Sequence, residues 1–234
     1  MNLELIHTSP TNADIFCFTE RIGPLGKFSL CTWQDKFVLN KVASLLPSNS
    51  IVVEIGTYVG GGAAIIAHAN PFIEIHTYDI YDTRPYGTRH YETLEQSLGV
   101  CECCQGPLPR TLKNVAKSVE RYTNIHLHQV DKDEVIKFDR PVDLFIEDSS
   151  HWNPQLAFSL SNWLPKIKVG GILMLHDFRP WSPNMERRHP DVEGHVELLS
   201  NDEKWKYLGP VTNDLFLKDP LTGQPSSYAI FQRV

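Results

Sequence analysis

Ile51-Val52-Val53-Glu54-Ile55-Gly56-Thr57-Tyr58-Val59-Gly60-Gly61-Gly62-Ala63-Ala64 decides the fold. An unbroken Ile and Val run closed by an acid reads as a strand buried on both faces. The glycines behind it allow a sharp turn and a close approach of backbone to ligand. The small residues that follow suit a helix, Ala63–Ala69, whose first amides would face the same space. Strand, glycine turn and helix in this order make the first βα unit of a doubly wound sheet. Its pocket opens at the carboxyl ends of the strands.

The turn also narrows the ligand. A dinucleotide fingerprint wants Gly-x-Gly-x-x-Gly, so that a pyrophosphate can lie on the second glycine. Tyr58 stands at that position, and no Gly-Lys-Ser/Thr of a P-loop is present. A cofactor with ribose and adenine but no phosphate tolerates Tyr58, and S-adenosylmethionine is the candidate. The same turn also occurs in folds with no ligand there. Ile73–Asp79 reads as the second strand. Asp79 follows the glycines by about 20 residues, where doubly wound folds hold a ribose diol with a carboxylate.

Outward from this unit, Trp33–Leu46 has helical spacing, and Leu112–Tyr122 reads as a further helix. Ile125–Val130 alternates as a third strand and runs into Asp131. His126 and His128 line one face of it and are assigned no ligand. Val135, Ile136 and Phe138 suggest a short helix before Pro141. Val142–Asp148 is a fourth strand and Leu156–Ile167 an amphipathic helix. Val169-Gly170-Gly171 turns into a fifth strand, Ile172–Asp177. Trp205–Leu217 and Tyr228–Val234 read as two antiparallel strands completing the sheet edge. The pattern predicts an α/β, Rossmann-like, doubly wound seven-stranded sheet, mostly parallel with an antiparallel C-terminal edge strand. Residues 1–30 read as an N-terminal extension to a domain over 31–234. Residues 81–109 are a long loop holding Arg84, Tyr86, Arg89, His90 and Tyr91. Loops of this length are usually functional, so it is expected to act as a substrate lid or an oligomer contact. Cys101-Glu102-Cys103-Cys104 lacks a second Cys/His pair at zinc-module spacing.

The 234 residues, 41% of them hydrophobic, suffice for one large domain with a central sheet. The net charge is −6, with no basic stripe, which argues against a nucleic-acid partner. No apolar run approaches the roughly 20 residues that span a bilayer, and the N-terminus does not read as a secretory signal. Five cysteines without a framework fit a reducing compartment, so a cytoplasmic protein is expected.

The strand ends carry Glu54, Asp79, Glu147-Asp148 and His176-Asp177, and all would open on one crevice. Asp148 and Asp177 would converge there as a hard-cation site suited to Mg²⁺ or Mn²⁺. His151, three residues beyond Asp148, is placed to serve as a base.

These segments resemble a family. Glu54-Ile55-Gly56-Thr57-Tyr58-x-Gly60-Gly61, Phe145–His151 and Val169–Asp177 look like class I S-adenosylmethionine-dependent methyltransferases. The likeness is closest to the metal-dependent O-methyltransferases of natural-product sugars and to cephalosporin-hydroxylase-type proteins, and it covers about Ile51 to Asp177. It implies that Glu54 and Gly56 shape the methionine end of the cofactor pocket, with Tyr58 and Gly60 in the same turn. Asp79 would meet the ribose, and Asp131 would flank the adenine. It further implies Asp148 as metal ligand, His151 as catalytic base, and the His176-Asp177 pair as further ligands. The sugar enzymes carry an acid where this chain has His176, so the third ligand is His176, Glu147 or water. The expected activity is methylation of a small hydroxylated acceptor, a sugar or natural product, with Arg179, Trp181 and the Phe178–Asn184 segment near its wall. A homo-oligomer is compatible with this. The competing readings are a metal-free N- or O-methyltransferase, a cephalosporin-hydroxylase-like oxygenation, and a non-catalytic S-adenosylmethionine-binding protein.

Overall fold

The computed structural model describes residues 33–81, 110–131, 134–178, 189–209 and 227–234. The expected N-terminal extension, the loop from residue 82 to 109, all five cysteines, Arg179 and Trp181 lie outside the described residues.

Helix α1 (Trp33–Leu45) leads to β1 (Ile51–Ile55), α2 (Gly61–Ala69) and β2 (Glu74–Asp79). Then come α3 (Leu112–Val119), β3 (Ile125–Gln129), β4 (Val142–Glu147) and α4 (Gln155–Trp163). β5 (Ile167–Leu175), α5 (Pro190–Ser200), β6 (Trp205–Gly209) and β7 (Ala229–Arg233) complete the described elements. The strands form one seven-stranded sheet in the order β3-β2-β1-β4-β5-β7-β6. β1 pairs in parallel with β2 and β4, as do β2 with β3 and β4 with β5. β7 runs antiparallel to both β5 and β6. The expected doubly wound sheet with an antiparallel C-terminal strand is therefore present.

β1 and β4 are buried along nearly their whole length, as their unalternating Val, Ile and Leu require. Helices α1 to α3 cover one face through Val38, Val42, Ile65, Ile66 and Val119. α4 and α5 cover the other through Leu156, Leu160, Trp163, Val192 and Val196. Strand order reverses between β1 and β4. In such sheets the ligand crevice opens at the carboxyl ends flanking this reversal, which here are Ile55-Gly56 and Glu147-Asp148.

Three local expectations need correction. No helix forms over residues 134–140. Pro141 disfavours helical backbone at Arg140, and the run is too short to offset helix nucleation. Ile136 and Phe138 instead pack irregularly on the core. α4 stops at Trp163, because Pro165 has no N–H to continue the ladder, and a single 3-10 turn (Leu164–Lys166) follows. β5 then begins at Ile167 and passes through Gly170-Gly171 with a register shift against Val142 and Leu144. α5 was not anticipated. Its start signals are present in the sequence: Pro190 in the first turn beside Asp191 and Glu193. No helix among the described residues is long and apolar enough to cross a membrane.

Candidate active site

The glycine turn and the tip of β4 are locked together. Gly56 has φ +100°, and a Cβ on it would collide with the carbonyl oxygen of Asp148. Only glycine meets both demands without strain. The Asp148 N–H donates to the Ile55 carbonyl at 2.9 Å. Tyr58 also lies at positive φ, 49°. Its N–H donates to Asp79 Oδ2 at 2.8 Å, which fixes the turn to the end of β2. Gly60, at φ 88°, caps the start of α2.

Glu54 points under this turn and is buried. Thr77 Oγ1 donates to its Oε2 at 2.6 Å and lies 2.6 Å from Thr57 Oγ1. Gly62 leaves the space that the carboxyl occupies, since a Cβ there would strike Glu54 Oε1. Burial pushes the Glu54 carboxyl up to about 8. The Thr77 hydrogen bond opposes this, while Asp148 and Asp79 add to it. In the unfolded chain the group ionises near 4.5. Between these values the folded state holds the extra proton, so stability falls as pH rises through that window. Glu54→Gln is expected to flatten the decline of melting temperature between about pH 5 and 8. Equal slopes for variant and wild type would contradict this.

Asp79 accepts three protein donors. Besides Tyr58 N–H on Oδ2, Oδ1 takes Tyr81 N–H at 2.8 Å and Arg110 at 2.7 Å. A carboxylate has about four acceptor sites, so room for one further donor remains. The Arg110 guanidinium also lies over the Tyr58 ring, 5.2 Å from its centroid. Asp131 is exposed just past β3, and the neighbouring Val130 N–H donates to the Asp79 carbonyl at 3.0 Å. The residues expected at the cofactor thus gather on the tips of β1, β2 and β3.

The second cluster sits on the tips of β4 and β5. His176 Nδ1 lies 2.7 Å from Asp148 Oδ1 and 3.4 Å from Asp177 Oδ1. His151 Nε2 lies 3.4 Å from Asp177 Oδ2 and 3.8 Å from Asp148 Oδ1. Asp177 adopts the left-handed region at φ 57°; such outliers concentrate at functional sites. His189, at the start of α5, brings Nε2 to 3.8 Å from Asp177 Oδ2. Burial alone would raise the Asp148 carboxyl, but the His176 and His151 rings outweigh it and hold it down at about 2. Burial likewise works against a charged His151, and the Asp148 and Asp177 carboxylates outweigh it, raising its pKa. Glu147, a candidate third ligand, turns away. It accepts from the Ser149 hydroxyl at 2.5 Å and from Ser159, and burial pushes its carboxyl up to about 7.

The donor set fits a divalent cation. Ligand atoms of Asp148, His151 and His176 all lie within 4.8 Å of one another, and so do those of His151, Asp177 and His189. His151 Nε2 is buried and has no hydrogen-bond partner among the described residues. Sequence reasoning missed three residues here: Asp35, Arg110 and His189. Asp35, in the first turn of α1, places Oδ2 at 3.6 Å from His176 Nε2. Its burial depends on contacts remote in sequence, so no local pattern announces it. His189 had a local signal, as the residue before the Pro190 helix start.

Comparison with known proteins follows the same geometry. A family model described as a methyltransferase domain matches residues 53–178, more than half of the chain. Among solved structures, the O-methyltransferase TomG from Streptomyces achromogenes, of tomaymycin synthesis and in complex with S-adenosylmethionine, is similar. It superposes with a TM-score of 0.52 at 11% identity, covering 97% of this chain and 91% of that one. An O-methyltransferase from Bacillus cereus in complex with S-adenosylhomocysteine gives 0.52 at 11% identity, covering 97% and 93%. Podospora anserina methyltransferase PaMTH1, bound to S-adenosylhomocysteine, gives 0.55 at 13% identity, covering 94% and 86%. The sequence finds no match among curated proteins. The structural likenesses speak to the fold, and the family model speaks to descent: this chain belongs to the methyltransferase-domain family, in the class I, S-adenosylmethionine-dependent form.

Proposed function

We propose that the chain transfers the methyl of S-adenosylmethionine to a hydroxyl of a small molecule, a sugar or natural product, in a site that also holds a divalent cation. The observation that carries this reading is the contact between the Gly56 turn and Asp148, which sets the cofactor-type pocket against the acid and histidine cluster. On this reading Glu54, Gly56, Tyr58 and Gly60 face the methionine end of the donor, Asp79 offers its remaining acceptor site to the ribose, and Asp131 borders the adenine. Asp148, His176 and Asp177 would hold the cation, with His176 Nδ1 lying 2.7 Å from Asp148 Oδ1 and 3.4 Å from Asp177 Oδ1. A cation so held lowers the pKa of an acceptor hydroxyl.

The acceptor oxygen attacks the methyl carbon in line, an O–C bond forms, and the C–S bond breaks with its electron pair returning to sulfur. The products are the methyl ether and S-adenosylhomocysteine. The hydroxyl proton would go to His151, whose buried Nε2 faces the cluster 3.4 Å from Asp177 Oδ2 and 3.8 Å from Asp148 Oδ1. Exposed Trp152, edge-on to His189 at 5.4 Å, offers an aromatic wall for a sugar or ring acceptor.

His151 must be neutral to take a proton, and its pKa is raised. The rate should therefore climb with pH through a value above the usual imidazole range. His151→Gln is expected to lower turnover by about a hundredfold or more and to remove that rising limb. The direct test is S-adenosylhomocysteine formation over a panel of hydroxylated acceptors, with and without EDTA. Full activity after chelation overturns the cation.

Oxygenation has one observation in its favour. Asp148, His151 and His176 offer two imidazoles and a carboxylate, a set that suits non-haem iron. Acceptor-dependent oxygen consumption without S-adenosylhomocysteine formation would support it.

A further inference from the structure

We propose that His176, backed at 3.6 Å by buried Asp35, makes this a nitrogen-ligand cation site that binds imidazole-accepting first-row ions (Mn²⁺, Fe²⁺, Co²⁺, Zn²⁺) in preference to Mg²⁺. The inference rests on the cation-dependent reading above and narrows it.

The His176 ring has a carboxylate on each side. Nδ1 faces the cluster, 2.7 Å from Asp148 Oδ1. Nε2 faces Asp35 Oδ2 at 3.6 Å. Asp35 is 1% exposed and does not swing freely. Its Oδ1 accepts the Ser227 N–H at 2.7 Å and the Ser227 hydroxyl at 3.3 Å, and its Oδ2 lies on the ring side. The Tyr228 ring packs on the imidazole at 4.7 Å. Helix α1, the residues leading into β7 and the tip of β5 thus grip one side chain together.

A cation on Nδ1 would leave the ring proton on Nε2, where the Asp35 carboxylate at 3.6 Å favours it electrostatically and raises the basicity of Nδ1. Nδ1 points at Asp148 and Asp177. Mg²⁺ demands oxygen donors in near-ideal octahedral geometry, whereas imidazole suits the later first-row ions. A buried, oriented nitrogen at this position therefore weakens Mg²⁺ and favours its competitors. Asp35 acts through His176 and is a positioning residue.

The test uses the full chain, stripped with a chelator and dialysed. Calorimetry with CoCl₂, MnCl₂ and MgCl₂ is run on the wild type, His176→Asp and Asp35→Asn, with S-adenosylhomocysteine affinity as the control for an intact fold. The wild type is expected to bind Co²⁺ at least about tenfold tighter than Mg²⁺. His176→Asp, which restores an all-oxygen set, should cut that ratio about tenfold or more. Asp35→Asn should weaken Co²⁺ by about ten- to a hundredfold and shift the visible Co²⁺ spectrum, a signature that a purely structural role would not move. An unchanged Co²⁺:Mg²⁺ ratio in His176→Asp, or an unchanged spectrum in Asp35→Asn, overturns the proposal. If His176→Asp fails to fold, nitrogen couplings in pulsed EPR of the Mn²⁺-loaded wild type decide: their presence supports the proposal and their absence overturns it. Equal binding of Mg²⁺ and Co²⁺ through Asp148 sinks this inference and leaves the cation reading standing. S-adenosylhomocysteine binding with no ion bound at all sinks both.

Discussion

Asp148→Asn is expected to cut methyl transfer by about a thousandfold while affinity for S-adenosylhomocysteine stays close to that of the wild type. The side chain stands 2.7 Å from His176 Nδ1 and 3.8 Å from His151 Nε2, so it links the ring proposed to face the cation with the ring proposed to take the proton. The amide is nearly isosteric, and the backbone N–H that donates to Ile55 is untouched. The cofactor turn should therefore persist. What disappears is the negative charge beside both histidines, which the proposed cation site needs as a donor. Initial rates with saturating donor, beside calorimetry with S-adenosylhomocysteine, separate the two effects. A variant with near-normal turnover would contradict the account, and so would one that loses turnover only because the cofactor no longer binds.

Gly56→Ala should destabilise the fold by about 3 kcal/mol and weaken both binding and turnover. The position combines φ +100° with the Asp148 carbonyl oxygen in the place a Cβ would take. The left-handed backbone alone costs a non-glycine residue roughly 1 kcal/mol. The collision is with backbone, so relief requires β1 and β4 to part at their tips. Gly170→Ala is the matched control. It shares a positive φ, +80°, but a Cβ there meets nothing within 4 Å. It should cost only the backbone component, about 1 kcal/mol. Denaturant melts of the two variants measure the difference. Equal losses would mean that the β1–β4 contact contributes nothing.

How much of this was legible in the sequence differs from element to element. β1 and β4 could be read because strands buried on both faces cannot alternate, and their sequences do not. The strand-end acids could be read because parallel strands bring their carboxyl ends to one edge of the sheet. Their individual directions could not. Glu147 and Asp148 are neighbours in sequence, yet one turns to Ser149 and Ser159 and the other to His176. Asp79 reads from the sequence as a ribose acid, and the structure shows it also holding Tyr58, Tyr81 and Arg110. Asp35 was invisible for a physical reason. Its partner Ser227 lies 192 residues away, and a helix's first-turn acid looks solvated until the C-terminal strand packs on it. The apolar spacing of Val135, Ile136 and Phe138 suggests a helix that Pro141 disfavours, and none forms over residues 134–140.

The central claim is that donor pocket and cation site face each other across the β1–β4 divide. A crystal of the full chain grown with S-adenosylhomocysteine and Mn²⁺, with diffraction collected to exploit anomalous scattering from manganese, tests it most directly. The account predicts a manganese peak within bonding distance of Asp148 and His176, with the thioether sulfur across a gap that one hydroxyl can fill. Cofactor bound at the Gly56 turn with manganese bound elsewhere would contradict it.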